Sequence, residues 1–376
     1  MSTQPAKNTK TKRMRALLLA AGALLFCALA VLTVLSGPNG GLAALFAHSS
    51  SEGYPYSPEE QSVMMMLPAE DGVEILSPDG VTQLGKKARE LYSRKLDYAD
   101  PIAVAGFGRT LVANRADGRY FMHGKDGVIF EGNAHSPITL AVVGKKNSAI
   151  VSQTAAGQTQ LDVLNTRGES VFSWSNAGER IVSAALSQNG RCAAAALLRM
   201  DEGERYSRVL LFDVKKSQII GEVDFGQSTL LRVCFTKENN VYVLGETILA
   251  ALKTDGSRIV SDTEFIAGQL ERFAFSPEGR AALVLRGEGN ESALRLLDGK
   301  GALAYEKSMD GTVAALALDG KNLAVLQNDG LLELLDKKGN IAGTADTGSD
   351  PVSDIVLDGK TVYARTNKSI ERFTFR

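Results

Sequence analysis

Three histidines, His48, His123 and His135, are all the imidazoles in this 376-residue chain, and they set the first limit on its chemistry. A zinc centre needs three or four converging ligands, usually at close spacing. His48 falls in a Gly/Ser/Pro-rich stretch, and the other two stand twelve residues apart. His123 lies beside the turn Gly124-Lys-Asp-Gly127 and His135 beside Asn133 and Pro137, so both read as solvated turn residues. No Asp-x-Asp-x-Asp-Gly calcium loop occurs. Met64-Met-Met66 offers soft sulfur, but neighbours on a strand point to opposite faces, and core packing is the simpler reading. No metal ligand is assigned.

Nucleophilic catalysis lacks its parts, with no Gly-x-Ser-x-Gly elbow and few histidines to act as base. Asp97 with Asp100, and Asp262 with Glu264, are carboxylate pairs at expected loops or strand ends, where solvated charge is the ordinary outcome. A glycosidase would need two such groups converging on a pocket, which spacing alone does not establish. Gly106-Phe-Gly108 and Gly287-Glu-Gly289 have neither the Gly-Lys-Ser/Thr ending nor the following helix of a phosphate loop. Cys192 and Cys234 could bridge in an oxidising compartment; the preferred reading is two buried free thiols. No catalytic residue, cofactor-binding residue or cofactor is assigned.

The net charge of −1 conceals an asymmetry. Lys7, Lys10, Lys12, Arg13 and Arg15 crowd the first fifteen residues with no acid among them, leaving 37 basic and 43 acidic residues in the remainder. A mildly acidic body argues against a general nucleic-acid binder, so no nucleic-acid partner is expected. From Ala16 to Leu35 twenty residues carry no charge. At 1.5 Å per residue they span about 30 Å, the thickness of a bilayer's hydrocarbon core. With basic residues before the run, the N-terminus stays cytoplasmic and the body is extracytoplasmic. The competing reading is a cleaved signal peptide, whose apolar region is shorter and ends in a small-x-small site. Here Ser36-Gly-Pro-Asn-Gly-Gly41 follows, a helix breaker. The expected organisation is therefore a cytoplasmic basic tail (1–15), a transmembrane helix (16–35), a flexible tether (36–60) and a folded body (61–376).

Within that body, strand-length pieces alternate with Asp-Gly, Asn-Gly, Ser-Pro and Gly-rich turns, and no long helical periodicity intervenes. Leu161-Asp-Val-Leu-Asn-Thr-Arg-Gly168-Glu-Ser-Val-Phe172 and Leu294-Arg-Leu-Leu-Asp-Gly-Lys-Gly301-Ala-Leu-Ala-Tyr305 are copies of one unit. Each is an apolar strand, a turn closing on Gly, and a strand with an aromatic four residues on. First strands are expected near Val63, Ile102, Ile138, Ile181, Leu230, Leu270, Val313 and Val352, spaced 36 to 49 residues. An all-β fold with a period near 40 residues selects a β-propeller of four-stranded blades. Eight starts favour eight blades, with seven as the alternative. The last copy stops after three strands because the chain ends at Arg376, so an N-terminal strand is expected to complete it. Val63-Met-Met-Met-Leu67 is the expected donor. Tyr92, Phe172 and Tyr305, with Val260 and Gly343 at the same offset, are expected to pack between blades.

These copies resemble the tryptophan-docking repeats of quinoprotein-like propellers, and Ser276-Pro-Glu-Gly-Arg280 is similar to the turns of WD40- and TolB-like propellers. Taken from the apolar run to Phe375, the chain resembles a family of membrane-anchored β-propellers of unknown function from Gram-positive bacteria. The resemblance implies fold and location, and its motifs import no activity. The chain departs from the quinoprotein pattern in having one Trp, at position 174. The reading that follows is a non-enzymatic extracytoplasmic scaffold, presenting loops to a protein or envelope polymer. The alternative is a ligand-sensing or hydrolytic propeller acting on a cell-envelope glycan or peptide. Arg199–Tyr206 and Gly287–Glu291 are the expected contact loops.

Overall fold

The computed structural model describes residues 53–58, 62–260, 262–266, 268–287 and 291–375. They form eight antiparallel sheets: seven of four strands, with order following the chain, and a last one of three. The blades cover residues 65–95, 101–133, 138–176, 180–224, 230–264, 270–310, 313–346 and 352–374. The eight-blade expectation is met, and all eight first strands begin within two residues of their expected positions. Among the described residues no helix is long and apolar enough to cross a membrane. The run at 16–35 lies outside the described residues.

Why these segments fold as blades follows from which faces they bury. Middle strands lie between two neighbouring blades and are apolar without alternation: Ala193 to Leu197 are all fully buried. Outer strands have one covered face and alternate, as in Ser170–Asn176, where Phe172 is buried between exposed Val171 and Ser173. The eight buried clusters each join two adjacent blades, including the eighth with the first. The core is therefore a set of interfaces between blades, and no blade has one of its own.

Turns between third and fourth strands share a device. Asn165, Asp298 and Asp336 each accept two backbone N–H groups, two and four residues on, while Gly168, Gly301 and Gly339 take positive φ. A bulge then follows in the fourth strand, and the residue after it faces the next blade. By register this position is Tyr92, Phe130, Phe172, Gly221, Tyr305 and Gly343. Tyr92 stacks on His123 at 4.3 Å, Phe172 meets Phe212 at 5.4 Å, and Phe130 and Tyr305 lie over Gly168 and Gly339. Counting four residues from the turn glycine misses Phe130, because its turn is shorter.

Ring closure corrects the expected donor. Met65–Ala69 is the first strand of blade 1 itself, and Met66 alone of Met64–Met66 is buried. The edge of blade 8 pairs instead with Tyr56, whose N–H donates to Ile370 O at 2.9 Å while the Ile370 N–H donates back at 2.8 Å. Tyr54 is buried against Tyr363, with centroids 5.6 Å apart, and its hydroxyl donates to Gly85 O at 3.1 Å. Gly53 sits against Lys87 and Ala88, in the third-to-fourth-strand turn of blade 1. Tyr54 to Tyr56, within the expected tether, thus cover the open edge of blade 8 through a single β-bridge.

Antiparallel meanders give the ring two distinct ends. Turns joining first to second and third to fourth strands lie on one end, here the hairpin face, as the pairing of Gly72 with Gly85 requires. Links between second and third strands, and between blades, lie on the crossover face.

Candidate functional site

First strands of neighbouring blades lie side by side around the axis and line its channel. At the hairpin face a cavity of about 270 Å3 is walled by Val104, Leu140, Val142, Val182, Leu231 and Phe275. Arg232 is the charged residue of its lining, and no carboxylate contributes. Turns cross this mouth: the Gln188 side-chain amide donates to Pro277 O, and Asn189 N–H donates to Asn239 Oδ1. An apolar wall of this kind can exclude water or hold an apolar group, and offers little to position a hydrolytic water.

His123 is corrected from a solvated turn residue to a buried one, 1% exposed. Its Nε2 lies 3.2 Å from Glu74 Oε1, and Thr110 Oγ1 donates to Glu74 Oε2 at 2.9 Å. Glu74 is fully buried on blade 1, while His123 and Thr110 belong to blade 2, so this network ties two blades. Tyr92 covers the imidazole, which explains why a polar residue is tolerated there. The sequence reading missed it because Glu74 and His123 are 49 residues apart. His135 is exposed.

The paired carboxylates separate into ion pairs. Asp97 meets Arg119, Asp100 meets Arg115, and Asp262 meets Arg258. Among the described residues no group of His, Cys, Asp and Glu could hold a metal ion. Cys192 and Cys234 are free and half-buried, on successive blades. Burial pushes both thiols up, Cys234 to about 11.

Of the two expected contact loops, residues 288–290 of the second lie outside the described residues. The first is corrected to a hairpin: strands Cys192–Asp201 and Glu204–Asp213 pair down to Asp201 and Glu204, with Glu202 and Gly203 at the tip. Ten-residue strands make it longer than the other hairpins of the ring, so it stands out on the crossover face. Arg199 and Met200 are exposed, and the Arg199 guanidinium lies 5.5 Å from the Tyr206 ring. At its base a cavity of about 370 Å3 is lined by Glu179, Arg199, Tyr206, Arg208, Glu222 and Asp224, among others. Arg208 bridges Glu179 and Glu222, each at 2.5 Å, and the two carboxylates hold its guanidinium above its usual range against the opposing effect of burial.

Charge is divided between the two ends. Among the described residues, the turns of the hairpin face carry 19 Lys and Arg against 11 Asp and Glu. Links between strands on the crossover face carry 2 against 9. The mildly acidic average of the body therefore conceals one basic and one acidic end, which composition could not reveal.

Solved structures of similar fold include the computationally designed Ika8 protein, with TM-score 0.60, 11% identity, and coverage of 85% of this chain and 98% of that one. Sqt1 of Saccharomyces cerevisiae gives 0.59, 10%, 85% and 97%. BamB of Moraxella catarrhalis gives 0.51, 14%, 83% and 96%. At these identities the likeness is one of fold. No curated protein matches the chain in sequence. A family model matches residues 54–374, from the closing strand to the end of the last blade, and the chain belongs to that family of unknown function, DUF5711.

Proposed function

We propose that this propeller is a non-enzymatic interaction scaffold, held at a membrane by the apolar run 16–35 and displaying its acidic crossover face to a protein or envelope polymer. The observation that carries this reading is the extended blade 4 hairpin. It projects Arg199 and Met200 beside Tyr206, over a polar cavity. Arg, Met and Tyr are residue types favoured at the centres of protein interfaces. The other reading, a hydrolytic or ligand-sensing site, finds less support: Glu179 and Glu222 are both engaged by Arg208, and the channel wall is apolar.

The test is crosslinking and pull-down of the tagged full chain from native membranes, beside an Arg199→Glu/Met200→Glu variant. A partner captured by the wild type and lost with the variant is the expected result. Recovery of no partner, together with binding or cleavage of a defined glycan, would overturn it.

A further inference from the structure

We infer that the basic hairpin face lies against an anionic lipid surface, leaving the acidic crossover face pointing away. This inference rests on the reading of residues 16–35 as a membrane anchor, and three observations converge on it.

The first is where the chain enters the ring. Gly53 packs on Ala88 at the hairpin face, and Tyr56 reaches Ile370 toward the opposite end, so the described chain begins at the hairpin face. Seventeen residues separate Leu35 from Gly53. A Gly/Ser-rich chain of that length has a root-mean-square reach of roughly 23 Å, little more than the height of one blade strand. An anchor joined there holds this end of the propeller near the bilayer.

The second is charge. Exposed Lys87, Lys125, Lys215, Lys253, Lys300 and Lys338 place at least one cation on the third-to-fourth-strand turn of six blades, and exposed Arg167 does so on blade 3. Basic residues are drawn to an anionic bilayer surface, and the attraction fades within a Debye length. The acidic crossover face would be repelled by the same surface.

The third is a girdle of aliphatic side chains on the outer strands. Leu91, Ile129, Val171, Ile219, Leu303 and Ile341 each follow the turn by two or three residues and are 44% to 54% exposed. One stands in each of blades 1 to 4, 6 and 7, close behind the turn cations. Packing between blades does not require it, since the inward plug is a separate residue: the next one in blades 1 to 3, and the one beyond the bulge, two residues on, in blades 4, 6 and 7. Cations ahead of aliphatics suit the headgroup and upper acyl layers of a bilayer. A protein partner would have to match a pattern repeated on six blades of the ring, whereas a lipid surface meets it without register.

The experiment uses the full chain, with its cysteines replaced by alanine, reconstituted into phosphatidylcholine vesicles with and without phosphatidylglycerol. A fluorophore is attached through Thr166→Cys on the hairpin face or Ala155→Cys on the crossover face, both exposed and both in blade 3. Quenching by lipids brominated on the acyl chain reports proximity. The expected result is stronger quenching at 166 than at 155 in phosphatidylglycerol vesicles. Lys215→Glu, Lys216→Glu, Lys337→Glu and Lys338→Glu combined should abolish that excess, and near-ultraviolet circular dichroism confirms that the variant is folded. Equal quenching at both sites, or stronger quenching at 155, overturns the inference. So does excess quenching that survives the four reversals in a folded variant, or that appears only when a protein partner is added. Resistance of the chain to alkaline extraction from the vesicles is scored separately. Loss on extraction defeats the anchor reading, while an extraction-resistant chain with unquenched 166 defeats the orientation alone.

Discussion

Phe375 supplies to Gly343 the side chain that this glycine lacks. A Cβ on Gly343 would come within 2.4 Å of Phe375 Cδ1, so the ring of blade 8 occupies the place where blades 1, 3 and 6 carry Tyr92, Phe172 and Tyr305. The plug position therefore does not decay at Gly343; its direction is reversed, with the aromatic coming from the next blade.

Phe375→Ala should cost about 3–5 kcal/mol of unfolding free energy, the range for emptying a buried aromatic site. Gly343→Ala should cost about 1–3 kcal/mol through overpacking. Because each change relieves the other, the double variant should be more stable than the two losses summed, which a denaturant double-mutant cycle will read. Simple additivity would show that the two sites are independent.

Closure by Tyr54 and Tyr56 gives a second expectation. Tyr54→Ala removes a buried ring and the hydroxyl bonded to Gly85 O, a loss of about 3–5 kcal/mol. Tyr56→Pro removes the N–H bonded to Ile370 O and should open the edge of blade 8. Hydrogen exchange at the Ile370 amide should quicken selectively in that variant. Unchanged protection at Ile370 would mean that the edge is closed by another segment.

The Asp354 carboxyl, opposite Arg365, is held above its ordinary range by burial, with Arg365 pulling the other way. A raised carboxyl favours the proton in the folded state. Its contribution to stability is thus complete below the unfolded-state value of about 4 and is lost as pH rises through the folded-state value. Asp354→Asn should leave the thermal midpoint unchanged in strong acid and raise it at neutral pH. A midpoint lowered at neutral pH would show that the pair with Arg365 outweighs the burial cost.

Cys234, with its thiol pushed up to about 11, should carry little thiolate at neutral pH. In a Cys27→Ser background, with the labelled peptides resolved, iodoacetamide should alkylate Cys234 of the native protein about two orders of magnitude more slowly than Cys234 of the urea-unfolded protein. Two thiols should titrate on unfolding without reductant. A single reactive species, or none, would point to a bridge that the separated cysteines of this fold do not form.

Sequence periodicity alone determined the eight first strands, the antiparallel meander and the three-stranded last blade, because strand propensity and turn chemistry are local and repeat about every 40 residues. It also pointed to an N-to-C closure, since an exposed edge invites pairing with other chains. Which residues close it was decided by tertiary structure. Met65–Ala69 pairs within blade 1, while Tyr54, read from sequence as tether, packs on Tyr363 and bonds Gly85 O, and Tyr56 pairs with Ile370. The burial of His123 depends on Glu74 and Tyr92, brought to it by the docking of blade 1 on blade 2. The segregation of charge was equally hidden. Basic and acidic turns alternate along the chain, and only the up-and-down winding of the strands collects one kind at each end of the ring.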